Sequence, residues 1–302
     1  MKKIISLLVI LVIICAAFAG CKNNTPKDYS LAIGVAVTKD AETSNVVETV
    51  ATIVTDADGK IVLCRLDCVD YSVSYDNNGA LKTTAPTSKV ELGANYKMSS
   101  GTWAEQGAAL ENYVKGKTQA EVAAIALDGG KATDADLKAS CSINVTDLLK
   151  AIDNAFKSEH KIAFKSSAAE LKAGLSVVSS VKDSSEEATK NVSFTASFAS
   201  AVMADGKVVA AILDTCDVTF NGINAEGAST SVSFDGTKRE LGDKYPAMPA
   251  GTWYVQADAY ANAAIGKTAD DIATLASEGV AGCTIKAIDY KAGIESAVKS
   301  AR

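Results

Sequence analysis

The chain has 302 residues, of which 48% are hydrophobic, 6% aromatic and four are prolines; this composition excludes a disordered or collagen-like polypeptide and suffices for two domains of ordinary size. The formal charge of −6 becomes −8 once Lys2 and Lys3 leave with the leader described next. No long basic segment is then left, which excludes nucleic acid as a partner.

Lys2 and Lys3 precede an apolar run from Ile4 to Ile14 and a small-residue end, Phe18-Ala19-Gly20-Cys21. This is the pattern of an export signal over residues 1–20, removed from the mature chain; a spanning helix needs about 20 apolar residues, and this run is shorter. Cleavage before a cysteine resembles the lipobox of bacterial lipoproteins, with Phe18 where leucine is usual. By that resemblance Cys21 is acylated, residues 21–29 are a tether, and the body sits at the extracytoplasmic face of a bacterial membrane. Two or three acyl chains, at about 0.8 kcal/mol per buried methylene, hold a protein there durably.

Val46 to Val54 and Lys60 to Val69 are rich in β-branched residues and flank Asp58-Gly59, which predicts a hairpin. Asp67 and Asp70 near its end are paired carboxylates that fit either a cation or an ordinary turn. Cys64 and Cys68 share a strand face about 13 Å apart, too far for a bond to each other. With Cys141, Cys216 and Cys283 the count is odd, the spacing is not that of zinc, and His160 is the one histidine. These cysteines read as small buried side chains, with one long-range disulfide left open.

Lys89-Val90-Glu91-Leu92-Gly93 comes next, followed by Tyr96, Met98 and Gly101-Thr102-Trp103 with Gln106. A helix is predicted from Thr102 to Val114, ending at Gly116. Thr118 reads as the N-cap of another helix, with Glu121 completing a capping box. Gly116-Lys117-Thr118 is not a phosphate loop, because Glu111 stands where that motif needs glycine. A short strand and an amphipathic helix from Val145 to Phe156 close the unit.

The same order then returns. Asp205-Gly206-Lys207, between strands Val192 to Met203 and Lys207 to Thr219, repeats the hairpin; Asp214 and Asp217 repeat the carboxylates. Lys238-Arg239-Glu240-Leu241-Gly242, Tyr245, Met248, Gly251-Thr252-Trp253, Gln256 and Gly266-Lys267-Thr268 follow in register, with Asp271 in the second capping position and Ala261 in place of the phosphate-loop glycine. A last helix runs from Ile288 to Val298. The chain thus reads as two tandem domains, 30–160 and 168–302, joined by a linker at 161–167. Strands precede helices in each, which is α+β.

No nucleophile elbow, metalloprotease helix or Cys–His pairing is present, so the chain is read as non-catalytic. The repeated turns stand out instead. Tyr96, Gly101, Thr102 and Trp103, with Tyr245, Gly251, Thr252 and Trp253, offer helix-start amides for an anion and aromatic faces for stacking. The competing reading is that the two tryptophans anchor helices onto their sheets.

Taken together, the Asp-Gly-Lys hairpin, Lys-x-Glu-Leu-Gly, the Tyr, the Met, Trp with Gln three residues on, and Gly-Lys-Thr resemble the membrane-anchored major membrane immunogen lipoproteins of treponemes and anaerobic Firmicutes, relatives of FMN-binding domains of surface electron-transfer lipoproteins. The resemblance implies a non-catalytic module that binds a small ligand or carries electrons, with FMN the cofactor to test. Flavin members attach FMN through a Ser-Gly-Ala-Thr threonine. Ser100-Gly101-Thr102 and Ala250-Gly251-Thr252 lack the alanine, and Gly227-Ala228-Ser229-Thr230 lacks the serine, so the covalent link is not implied. The alternatives are a structural or host-interacting surface lipoprotein, or a solute receptor of a transporter with one cleft between its domains.

Overall fold

The computed structural model describes residues 25–40, 45–77, 79–184, 189–224, 228–246 and 248–302. The segment read as an export signal and Cys21 lie outside these residues, as does Gly227. Among the described residues no helix is long and apolar enough to cross a membrane.

The protein is α+β, with antiparallel sheets. The first half contains strands β1 (Lys27–Asp40), β2 (Asn45–Asp56) and β3 (Ile61–Ser72), then helices α1 (Lys89–Leu92), α2 (Trp103–Val114), α3 (Gln119–Ala123), α4 (Ala135–Ser140) and α5 (Thr146–Lys157). After β4 (Ile162–Ser166), the second half has β5 (Leu171–Asp183), β6 (Val192–Ala204), β7 (Lys207–Asn221), β8 (Ser231–Ser233), α6 (Lys238–Leu241), α7 (Trp253–Asn262), α8 (Ala269–Ala273) and α9 (Ile288–Lys299). The two four-stranded sheets have the orders β3-β2-β1-β4 and β8-β7-β6-β5, and two short ribbons pair Lys97–Met98 with Gly101–Thr102 and Leu127–Asp128 with Lys131–Ala132.

Two sequence expectations need correction. The segment read as a linker, 161–167, contains β4, which pairs with β1 from Leu31↔Ile162 to Lys27↔Ser166. The end of the tether is likewise drawn into β1, which begins at Lys27. Backbone pairing won at both places because an open edge beside β1 offers unmet amides to whatever chain runs past it. The second sheet uses the end of the chain in a similar way: Arg302 and Ala173 exchange backbone hydrogen bonds of 3.2 and 3.4 Å beside β5.

The halves meet sheet against sheet. One core lies between the sheets, drawing Leu31, Val35, Val46, Val50 and Tyr71 from one and Val177, Phe194, Phe198, Ile212 and Phe220 from the other. Two further cores lie on the opposite faces, under α2 and α5 in the first half and α7 and α9 in the second. The result is four layers, helices outside and two sheets within. Strands β2 and β6 are buried on both faces, which accounts for their nearly unbroken apolar runs.

Each closing helix crosses its sheet on a glycine. A Cβ on Gly34 would collide with the backbone of Ala151 and Ala155 of α5, and one on Gly174 with the carbonyl of Ala297 in α9. Close approach, not turn geometry, is what these two glycines supply. Cys64, Cys68, Cys141 and Cys216 are buried and Cys283 is half-buried, in keeping with their reading as small packing side chains.

Candidate functional site at the Gly-Thr-Trp turns

Each turn is the start of a helix. Thr102 is the N-cap of α2 and Thr252 of α7, both in extended backbone, which frees the next amides to point out of the helix end. Gly101 and Gly251 precede them at φ of 100° and 111°, values only glycine adopts without strain.

In the first turn the Thr102 and Glu105 amides are already satisfied. The Glu105 carboxylate accepts from the Thr102 amide at 2.8 Å and from its hydroxyl at 3.0 Å, while Thr102 Oγ1 accepts from the Glu105 amide at 3.1 Å. These hydrogen bonds hold the Glu105 carboxyl below its ordinary range. A phosphate at this helix end would meet a carboxylate in its place.

In the second turn Val255 occupies the third position, and there is no capping carboxylate. Thr252 Oγ1 is buried there without a hydrogen-bond partner.

Neither indole is available for stacking. Trp103 is 5% exposed and Trp253 3%; Trp253 meets the Tyr290 ring edge-on at 5.9 Å. Gln106 and Gln256, three residues on, are buried too. Gln106 Oε1 accepts from the Ser142 amide and hydroxyl at 2.8 and 2.9 Å, and Gln256 Oε1 from those of Thr284 at 2.8 and 2.7 Å. The motif ties each helix to a loop before the closing helix.

Tyr96 and Tyr245 are half-buried and belong to a second repeated arrangement. Lys89 lies over the Tyr96 ring at 5.3 Å and Lys238 over Tyr245 at 5.6 Å; the same lysines pair with Asp70 at 3.0 Å and Asp217 at 3.1 Å. The carboxylate pairs noted in the sequence are therefore divided. Asp70 and Asp217 hold lysines at the surface, while Asp67 and Asp214 are buried.

Asp67 accepts from the Cys68 amide, the Val90 amide and the Ser88 hydroxyl at 2.7, 3.0 and 2.7 Å. Asp214 accepts from the amides of Thr215 at 2.7 Å and Arg239 at 3.0 Å. Burial pushes both carboxyls up to about 6 despite these donors. They fasten α1 and α6 to strands β3 and β7.

No protein-family model, curated protein or solved structure matches this chain. The site rests on its geometry, and that geometry does not fit a flavin: the first helix end is filled by Glu105, and the indoles are core. None of five clefts of about 190 to 490 Å³ is lined by Tyr96, Gly101, Thr102, Trp103, Tyr245, Gly251, Thr252 or Trp253.

Two clefts lie between the halves. One, of about 220 Å³, includes His160 and Glu240; its histidine stacks on Tyr254 at 4.1 Å. The other, of about 280 Å³, includes Arg65, Glu111 and Arg302, whose charges are spent on one another at 3.2 and 2.8 Å.

The role of Arg239 was not legible in the sequence: it reaches the Leu213 and His160 carbonyls at 2.9 and 3.3 Å and Asp258 at 2.6 Å. Glu48 went unread as well. Its signal was present: one acid in the apolar row of Val46 to Val54.

Proposed function

We propose that this chain is a lipid-anchored surface module of a bacterium, built by duplication of one α+β unit, non-catalytic, and structural or partner-binding in role. Its Gly-Thr-Trp turns serve as helix starts, not as a cradle for FMN. The observation that carries this reading is the Glu105 carboxylate on the Thr102 amide and hydroxyl, which fills the anion position of the first turn.

Duplication is supported by pairs of matching contacts. Ile61 and Lys117, with Gly116, exchange backbone hydrogen bonds as Val208 and Lys267, with Gly266, do; Thr118 with Glu121 and Thr268 with Asp271 form the same capping box. The Asp67 and Asp214 anchors, the Gln106 and Gln256 ties and the two Lys-over-Tyr pairs add to the series.

Export and anchoring rest on the leader and Cys21. The resemblance to major membrane immunogen lipoproteins supports ancestry and location, and the departure at the turns separates this chain from their flavin-carrying relatives.

The test is purification from the native host, followed by intact mass spectrometry and a visible spectrum. A chain that begins at diacylated Cys21 and carries no flavin chromophore is expected. A flavin spectrum, or tryptophan quenching when FMN is added to residues 25–302, would overturn the structural role of the turns. An unmodified Cys21 would overturn the anchor.

A further inference from the structure

Glu48 lies on β2 between Val46 and Val50, in the row that faces the second sheet, and is fully buried. Its Oε2 accepts from the Tyr71 hydroxyl at 3.2 Å. Its Oε1 has no partner. Across the sheet boundary Cys216 of β7 acts on the same carboxyl, favouring its charged form.

This polar group stands in only one of two matching places. Glu48 is opposed by Val69 on β3, two residues after Asp67, and Ala196 is opposed by Cys216 on β7, two residues after Asp214. The position matching Glu48 in the second half is therefore Ala196. A carboxyl occupies the boundary on one side, and a methyl on the other.

We propose that Glu48, Tyr71 and Cys216 form a proton-gated latch between the two sheets: neutral Glu48 keeps the sheets stacked, and its ionisation favours their separation. An ionised carboxylate in this core would have a vacant acceptor and no cation beside it, which is costly. The titratable and charged groups acting on it are Tyr71 from β3 and Cys216 and Asp217 from β7, the last a like charge. On its other side β1 presents Val37.

Burial pushes the Glu48 carboxyl from 4.5 to about 8, more than the Cys216 and Tyr71 hydrogen bonds lower it. The group prefers the closed core when protonated. Its contribution to stacking is thus full below about pH 4.5, is lost as pH rises through about 8, and is level above that.

The experiment labels the full chain and its Glu48→Gln variant with N-ethylmaleimide and locates modified Cys216 by peptide mass spectrometry. The intrinsic pH dependence of the thiol is common to both, so the ratio of rates reads opening alone. Hydrogen exchange at the Phe198 amide of β6 gives a second readout that does not use the thiol. From about pH 5.5 to about pH 7.5 the wild-type to variant ratio is expected to rise about 100-fold, tenfold per pH unit. A ratio constant within about twofold in both readouts overturns the latch. If Glu48→Gln does not fold, Glu48→Ala serves, since Ala196 fills the matching place. In wild type alone, exchange that stays flat after correction for intrinsic rates overturns it equally.

Discussion

Arg302 Nη2 lies 2.8 Å from Glu111 Oε2, joining residues 191 positions apart in the chain. The same oxygen receives Arg65 at 3.2 Å, while Glu111 Oε1 accepts the Leu66 amide at 2.9 Å. Arg65 Nε in turn donates to the Ala173 carbonyl of the other sheet at 2.8 Å. One buried carboxylate thereby holds an edge strand, a helix and both halves together.

Removing that carboxylate leaves Arg65 partly buried and the Leu66 amide unmet. Glu111→Ala is expected to cost about 3 kcal/mol in urea denaturation. Arg302→Ala, whose side chain is 49% exposed, should cost under about 1 kcal/mol. Equal losses would show that Glu111 does not act as the shared anchor.

Gly34 and Gly174 set how closely α5 and α9 approach their sheets. Gly34→Ala and Gly174→Ala should each destabilise the fold by about 3 kcal/mol, because backbone atoms must move to admit the methyl. Gly59→Ala is the useful contrast: it has nothing within 4 Å of the new carbon and only its φ of 74° against it, so about 1 kcal/mol is expected. Thermal unfolding of the three variants decides the order.

Acid should strengthen this protein over a limited window. Asp67 and Asp214 are each raised by burial from 3.8 to about 6, so the folded state prefers them protonated. Their contribution is full below about pH 4 and is lost as pH rises through about 6, at about 3 kcal/mol for each group. Melting temperature should therefore fall between about pH 4.5 and about pH 6.5, and the double variant Asp67→Asn, Asp214→Asn should reduce that slope to the part Glu48 contributes. The lowered carboxyls Glu105, Glu121 and Asp271 act in the opposite sense, their stability being lost as pH falls below the ordinary carboxylate range. A melting temperature that rises across this window would refute the assignment.

Thr118→Ala removes a hydroxyl that accepts from the Glu121 amide at 3.4 Å and donates to its carboxylate at 2.9 Å. Loss of about 1 kcal/mol is expected. Thr268→Ala, with Asp271 in the reciprocal place, should lose a similar amount. Denaturant midpoints of the two variants test whether the matching boxes carry matching weight.

The hairpins around Asp58-Gly59 and Asp205-Gly206, the helices from Trp103, Trp253 and Ile288, and the capping boxes at Thr118 and Thr268 were legible in the sequence, whereas the boxes at Thr102 and Thr237 were not read there. Each depends on groups within about four positions of one another, so local residue chemistry is enough to specify it. The roles of Trp103 and Trp253 were not. A tryptophan at a helix start fits a stacking platform or an anchor equally, and only the partner layer chooses; here that layer includes Tyr290, 37 positions beyond Trp253.

Local order and the repeated pattern were thus fixed by the sequence itself, because turns, caps and strand alternation answer to neighbouring residues. The pairing of β4 with β1, the sheet-to-sheet contact, the close crossing at Gly34 and the confinement of Glu48 were decided by tertiary structure. Those features join segments far apart in the chain. Their energies come from the surfaces that meet, which no short stretch of sequence contains.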